Sequence, residues 1–412
     1  MGFFKEAVVG ISWLGGLRLS TRLITYAKIA ILARLLTPAQ FGLFGIASLV
    51  LAFLEIATET GINVVLIQER ADIKKFVDTA WIISIIRGLV ISLAIWLAAP
   101  YIASFFNSPD SRSLLYLVGF VPLIKGFINP SVVKFQKELK FSKEFLYRLV
   151  VFSFDAVVAV LFALRINSAL SLVYGMLAGA MAEVALSHLL LKPKPKLRFE
   201  KSKIKRVFGH GKWITMAGVF NYLFENVDNV VVGKLMDMTS LGFYQNAYKI
   251  SSLPLSEVAD VVKKVTFPIY VKFSDDRARL KAAFLKSTLA LSVIVIPLGL
   301  ILLIYPQTVV RIILGGNWLT IVPVIRVMSF FGVIRAIIAS SYPVFLSLKK
   351  QKYITYAMLA GILGLIITIV PFVKNYGIVG AGLSALTGTV FEIPVIVYFL
   401  IKIFRNKKPE VL

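Results

Sequence analysis

The stretch LRLSTRLITYAKIAILARLL, Leu17 to Leu36, sets the narrowest limit on how this chain can fold. At about 1.5 Å per residue, some 20 residues span a hydrocarbon core, so the stretch is long enough to cross a bilayer. It nevertheless carries Arg18, Arg22 and Lys28 inside the span. At about 100° per residue, Arg18, Thr21, Arg22, Thr25 and Lys28 share roughly a third of the helix circumference, giving one cationic face on an otherwise apolar rod. A charge at mid-membrane costs about 2.5 to 3.5 kcal/mol on insertion scales, so such groups line a wet cavity or meet a partner. Three cations on one face predict an aqueous chamber for an anion. The competing reading has Arg18 snorkelling to the interface and Arg22 and Lys28 held in structural ion pairs.

The rest of the chain extends the membrane reading. Of 412 residues, 58% are hydrophobic and only 16% charged, a balance that excludes an ordinary soluble domain. Cysteine is absent, which removes disulfides, thiol chemistry and Cys-based metal sites. The two histidines, His188 and His210, have no metal-ligand neighbours in sequence, so no metal cofactor and no catalytic role is expected of them. Long apolar runs rather than alternating short ones rule out spanning strands and predict an all-α polytopic protein. The runs give twelve spans, near 10–33, 40–66, 78–99, 112–130, 145–164, 169–191, 211–233, 240–262, 285–305, 321–347, 353–373 and 377–401.

A formal net charge of +25 suggests nucleic acid at first sight, but its distribution argues otherwise. One set of loops holds Lys5; Arg70, Lys74 and Lys75; Lys134, Lys137, Lys140 and Lys143; the runs 192–212 and 263–286; Lys349, Lys350 and Lys352; and the tail 402–408. The alternate set carries single cations, Arg34, Arg112, Arg165, Lys234, Arg311 and Lys374. This is the positive-inside pattern of a multi-pass protein of the cytoplasmic membrane, with both termini cytoplasmic and no nucleic-acid partner. The first span follows the N-terminus almost at once and is too long for a signal-peptide core, so no cleavable leader is expected.

The longest polar break, KPKPKLRFEKSKIKR at 192–206, divides the chain into two six-span halves. Its two Lys-Pro steps favour an extended linker, and its charge suits anionic lipid headgroups. The expected domains are a lobe over 1–191, a basic cytoplasmic linker over 192–210, a second lobe over 211–404 and a tail over 405–412. The halves repeat one another. ARLLTPAQFGLFG at 33–45 aligns with GKLMDMTSLGFYQ at 233–245, placing Gly42 on Gly242 (242 − 42 = 200) and Trp13 on Trp213. An even number of spans per half gives parallel repeats about an axis along the membrane normal, two bundles around a central cavity that rocks between the two sides.

Under this offset the opening spans differ in charge: Thr21 aligns with Asn221, Thr25 with Glu225, Lys28 with Asp228 and Ile29 with Asn229. Asn221, Glu225, Asp228 and Asn229 share one helix face, an oxygen-rich stripe suited to coupling by Na⁺, with Asp228 as its ligand, or by a proton. The alternative pairs Asp228 with Lys249 or Lys28. Glu55 and Glu59 are expected to pair with Arg18, Arg22 or Arg87. Pro254, Pro268, Pro297, Pro323, Pro343, Pro371 and Pro394 are expected to kink the second half.

At ARLLTPAQFGLFGIASLVLAFLEIATETGINVVLIQE the sequence resembles the Wzx-like polysaccharide transporters, flippases of lipid-linked oligosaccharides in the MOP superfamily that also holds the lipid II flippase and the MATE exporters. DNVVVGKLMDMTSLGFYQNAYKIS is similar to the repeat signature of the same family. The resemblance covers essentially the whole chain. It implies that Arg22 and Lys28 face a central cavity and contact a pyrophosphate-sugar head, with Lys249, which follows Ala247 and precedes Pro254, as a third cation and Asp228 as a sodium-binding position. Ile29 replaces an acid of the family pattern, Glu55 stands where an arginine is expected, and span eleven lacks the acidic sodium ligand.

These readings point to a non-enzymatic flippase of a polyprenyl-diphosphate-linked oligosaccharide for O-antigen, lipopolysaccharide or related polysaccharide export. Arg18, Arg22, Lys28 and Lys249 would hold the pyrophosphate, arginine by paired hydrogen bonds and lysine as a point charge. The expected partners are the lipid-linked oligosaccharide, membrane lipids and other membrane proteins of polysaccharide assembly; no cofactor beyond Na⁺ or H⁺ is expected. A MATE-type exporter of small organic molecules is the alternative, though it favours carboxylates that the first span lacks. An integral-membrane glycan polymerase or ligase would need an acid-base or metal constellation that the short loops do not supply.

Overall fold

The computed structural model describes residues 2–59, 66, 74–198 and 201–405, without the side chains of 2–15, 18, 19, 74, 75, 201–214, 217 and 224. The anion contact expected of Arg18 and the match of Trp13 with Trp213 therefore lie outside the described side chains, as do Arg70 and the tail beyond 405. The described residues are helical almost throughout and contain no strand.

The chain forms two compact units, residues 1–226 and 227–412. The first holds α1 (Gly2–Leu35), α2 (Pro38–Ala57), α3 (Lys74–Phe105), α4 (Ser111–Val118), α5 (Phe120–Gly126), α6 (Phe141–Ile166), α7 (Leu170–Leu190) and most of α8 (Lys201–Leu235). The second takes the end of α8 and then α9 (Met238–Ser251), α10 (Leu253–Lys272), α11 (Arg277–Ile304), α12 (Pro306–Ile313), α13 (Val322–Ala339), α14 (Tyr342–Ser347) and α15 (Gln351–Arg405). Residues 201–210 of the expected linker are thus helical, and 192–198 are non-helical.

Local chemistry explains the corners. Thr37 caps α2: its hydroxyl accepts from the Gln40 amide while the Gln40 side chain accepts from the Thr37 amide, a reciprocal box that satisfies two orphan donors. Asp237 caps α9 with one of these two bonds, its carboxylate accepting from the Ser240 amide at 2.8 Å. The two caps are 237 − 37 = 200 residues apart, and α1 and α8 end at Leu35 and Leu235, so the repeat seen in the letters is a repeat of bends.

Seven described helical segments are long and apolar enough to cross a membrane, or eight if the bent pair Ser111–Gly126 and Pro130–Lys137 makes one span. The twelve expected spans do not map one to one onto the described helices. Expected span eight is divided at Ser252 into α9 and α10, and the last two spans form the single 55-residue α15, bent at Gly377 (φ 58°, ψ −138°). The prolines also divide. Pro268, Pro297, Pro371 and Pro394 lie inside helices, whereas Pro254, Pro323 and Pro343 sit at helix starts, where the missing donor costs nothing. Those three begin helices rather than kink them. Pro100 lies within α3, so the first unit has an interior proline too.

In the first unit α6 packs on α1 and α7, and α3 packs on α4 and α5. Its core joins Ala47 and Leu51 of α2 to Ile91 and Ile95 of α3 and Leu115 and Val118 of α4. In the second unit α13 is central, packed against α9, α10, α11 and α15. Leu97, Leu289 and Ile367 lie exposed on long apolar helices, the surface expected of helices whose solvent is lipid.

Candidate functional site

The cationic face of α1 meets its counter-charge within the first unit. Lys28 donates to both carboxylate oxygens of Asp155 on α6 at 2.8 Å, with the two side chains only 12% and 22% exposed. Small residues on α7 bring the acid there. A Cβ on Gly175 would lie 2.6 Å from the Asp155 carbonyl oxygen and 2.7 Å from its Oδ1, so only glycine lets α7 back the Asp155 turn. Thr21 and Thr25 return their hydroxyl protons to the carbonyls one turn back, Leu17 and Thr21, and Arg22 is exposed. Lys249 of α9 is half-buried in the second unit.

Asp228 is buried near the end of α8. Tyr244 donates to its Oδ2 at 2.6 Å, and the amide and side chain of Asn229 donate to Oδ1 at 2.7 and 3.0 Å. Lys28, one of the two lysines of the alternative pairing, is bound to Asp155 instead. Asn221 and Glu225, two turns and one turn earlier on α8, are exposed. Among the described residues no three His, Cys, Asp or Glu side chains converge as a metal site.

The remaining charges of the first unit gather elsewhere. Glu55 pairs with Lys125 of α5 at 3.0 Å, and Arg87 of α3 donates to Thr58 Oγ1 at 3.1 Å and to the Glu55 carbonyl. The partner expected for the Glu55 carboxylate was an arginine; the structure supplies a lysine. Arg148 lies 3.6 Å from Glu144 and 3.9 Å from Glu183 of α7. All six side chains line one cavity of about 380 Å³. Gly88 permits the approach of α3 to α5 at its wall, since a Cβ there would come within 2.4 Å of the Pro122 carbonyl oxygen. Glu144 and Arg148 escaped the sequence reading, although their i, i+4 spacing is the signal of a helix-face pair. At the adjoining loop, the hydrogen bond from Lys140 at 2.6 Å holds the Glu138 carboxyl below its ordinary range.

Residues 31–323 match the family described as polysaccharide biosynthesis protein. The chain belongs to this family. The lipopolysaccharide biosynthesis protein WzxC of Escherichia coli (strain K12) is 23% identical over 350 residues, 82% of this chain and 69% of WzxC. The teichuronic acid biosynthesis protein TuaB of Bacillus subtilis (strain 168) is 23% identical over 356 residues, 85% of this chain and 73% of TuaB. Among solved structures, the lipid II flippase MurJ in an inward closed conformation is similar at a TM-score of 0.76 and 16% identity, over 96% of this chain and 89% of MurJ. An inward-facing MATE multidrug transporter of the MOP superfamily follows at 0.69 and 14%, over 95% and 96% of the two chains. At these identities the structures establish the fold alone, one that the chain shares with MurJ and the MATE transporter. With its long apolar helices, the chain is a multi-pass membrane protein.

Proposed function

We propose that this protein is a flippase that moves a polyprenyl-diphosphate-linked oligosaccharide across the cytoplasmic membrane for polysaccharide export, without covalent chemistry. The observation that carries the reading is the match of residues 31–323 to the polysaccharide biosynthesis family in a chain with the fold of a lipid-precursor flippase over nearly its whole length. Related proteins are named for lipopolysaccharide, teichuronic acid and succinoglycan biosynthesis, the last as a transport protein. A shared task across such different sugars favours the lipid-diphosphate end as the common handle.

In this proposal Arg18, Arg22, Lys28 and Lys249 hold the diphosphate, and Asp228, with Glu225, Asn229 and Asn221, serves coupling to Na⁺ or H⁺. Lys28 contributes by exchanging Asp155 for the anion. A positive charge already held by a carboxylate is a modest anion site, and modest affinity is what a carrier needs if cargo is to leave. Both termini lie in the cytoplasm, and other membrane proteins of polysaccharide assembly are partners. The test is leaflet translocation of a fluorescent lipid-linked oligosaccharide in proteoliposomes: protein-dependent exposure of the label to a quencher supports the proposal, and a rate equal to that of empty liposomes overturns it.

A further inference from the structure

The cavity of the first unit is a second polar site, and neither Arg22 nor Lys28 lines it. Three cations, Arg87, Lys125 and Arg148, face three carboxylates, Glu55, Glu144 and Glu183. Their formal charges cancel, so a bound ion of either sign would leave an uncompensated charge in a low-dielectric bundle, which is costly. A neutral occupant carries no such penalty.

The hydrogen-bonding capacity, in contrast, is not used up. The Glu144 side chain is only 5% exposed; its Oε1 accepts from the Gln136 side chain at 3.0 Å, while its Oε2 is buried without a hydrogen-bond partner. Arg148 reaches the carboxylates of Glu144 and Glu183 only at 3.6 and 3.9 Å, beyond hydrogen-bonding range. Carboxylates ask for donors, guanidinium groups for acceptors, and a ligand that serves both must carry groups that do both. A hydroxyl is such a group, one donor with two acceptor lone pairs. The volume of about 380 Å³ falls inside the roughly 300–1,000 Å³ range of small-molecule sites.

We infer that this cavity is a saccharide site, taking an uncharged, polyhydroxylated sugar unit whose hydroxyls donate to Glu144 and Glu183 and accept from Arg148 and Arg87. The inference deepens the proposed function by adding a sugar contact separate from the residues proposed for the diphosphate, and free sugars test it without the lipid. The experiment measures equilibrium binding to the purified full-length protein of radiolabelled glucose, galactose and N-acetylglucosamine in one arm, and of inorganic pyrophosphate in another. The expected result is saturable binding of at least one sugar, weakened about ten- to hundred-fold by Glu144→Gln, the loss of one charge-assisted hydrogen bond. Gln136→Ala, at an exposed position, gives a milder weakening should the first variant fail to fold. No saturable binding across the sugars, or binding unchanged in both variants, overturns the site. Pyrophosphate binding without sugar binding overturns the sugar site and leaves the diphosphate reading standing; sugar binding without pyrophosphate binding does the reverse.

Discussion

Removing either member of the Lys28–Asp155 pair should destabilise the protein far more than removing both. At 2.8 Å and an effective dielectric of about 20, the gross attraction is about 6 kcal/mol. Desolvation of two side chains that are 12% and 22% exposed offsets a large part of it. The asymmetry lies in what is left behind: Lys28→Met strands a carboxylate between α1, α6 and α7, and Asp155→Asn strands an ammonium. Each single change is expected to cost about 3 kcal/mol, the lower end for breaking a buried pair. The double variant leaves no orphan and should cost about 1 kcal/mol, well below either single change. Denaturant unfolding of the four proteins in detergent completes the cycle. A double variant as unstable as the two singles added together would refute the pairing argument. The stable double variant also separates the two roles proposed for Lys28: translocation retained means the lysine serves the fold alone, and translocation lost at normal stability means that it meets cargo.

Gly175→Ala pushes a methyl into the Asp155 turn and is expected to destabilise by about 1–3 kcal/mol in the same unfolding assay; a neutral result would mean that α6 and α7 are less tightly apposed than described. Gly377→Ala, at φ 58° and ψ −138°, should cost about 1–3 kcal/mol and lower the midpoint of thermal unfolding. Glu138→Gln tests the loop carboxylate that Lys140 holds below its ordinary range. A depressed folded-state pKa stabilises only above the unfolded value of about 4.3, and the benefit fades as pH falls through the folded value. The gap between wild type and Glu138→Gln should therefore be small, present near neutrality and absent in strong acid; a gap that widens on acidification would contradict the sign.

Features set by neighbours in sequence were legible in it, and those set by distant neighbours were not. Thr37 before Pro38 with Gln40 three residues on, and Asp237 with Ser240, are local codes, and the Gly42–Gly242 alignment located both bends. The separation of 127 positions between Lys28 and Asp155 carries no such code, because any acid on any packed helix satisfies the lysine equally well on paper. The neighbours of Asp228 are hidden for a related reason: Tyr244 is 16 residues away and carries no charge that a count would register. Pro254, Pro323 and Pro343 were misread as kinks because a proline inside an apolar run looks the same whether it interrupts a helix or begins one. Of the charged cavity, Glu55 and Arg87 were visible as a candidate pair, but only the packing of α3, α5, α6 and α7 shows that Lys125, Glu144, Arg148 and Glu183 face the same space.

The matched corners at Thr37 and Asp237 carry a consequence for how such a chain diversifies. Each bend rests on a single oxygen positioned to receive an amide three residues ahead, and a hydroxyl or a carboxylate serves equally. Once that atom is secured, the rods on either side are released from guarding the turn, and their exposed letters can drift in opposite directions. Thr25 and Lys28 on one rod stand at the positions of Glu225 and Asp228 on the other, while the two caps keep the same spacing from their rods. A doubled architecture can thereby carry unlike side chains on its two copies without redesigning the joint that each copy keeps.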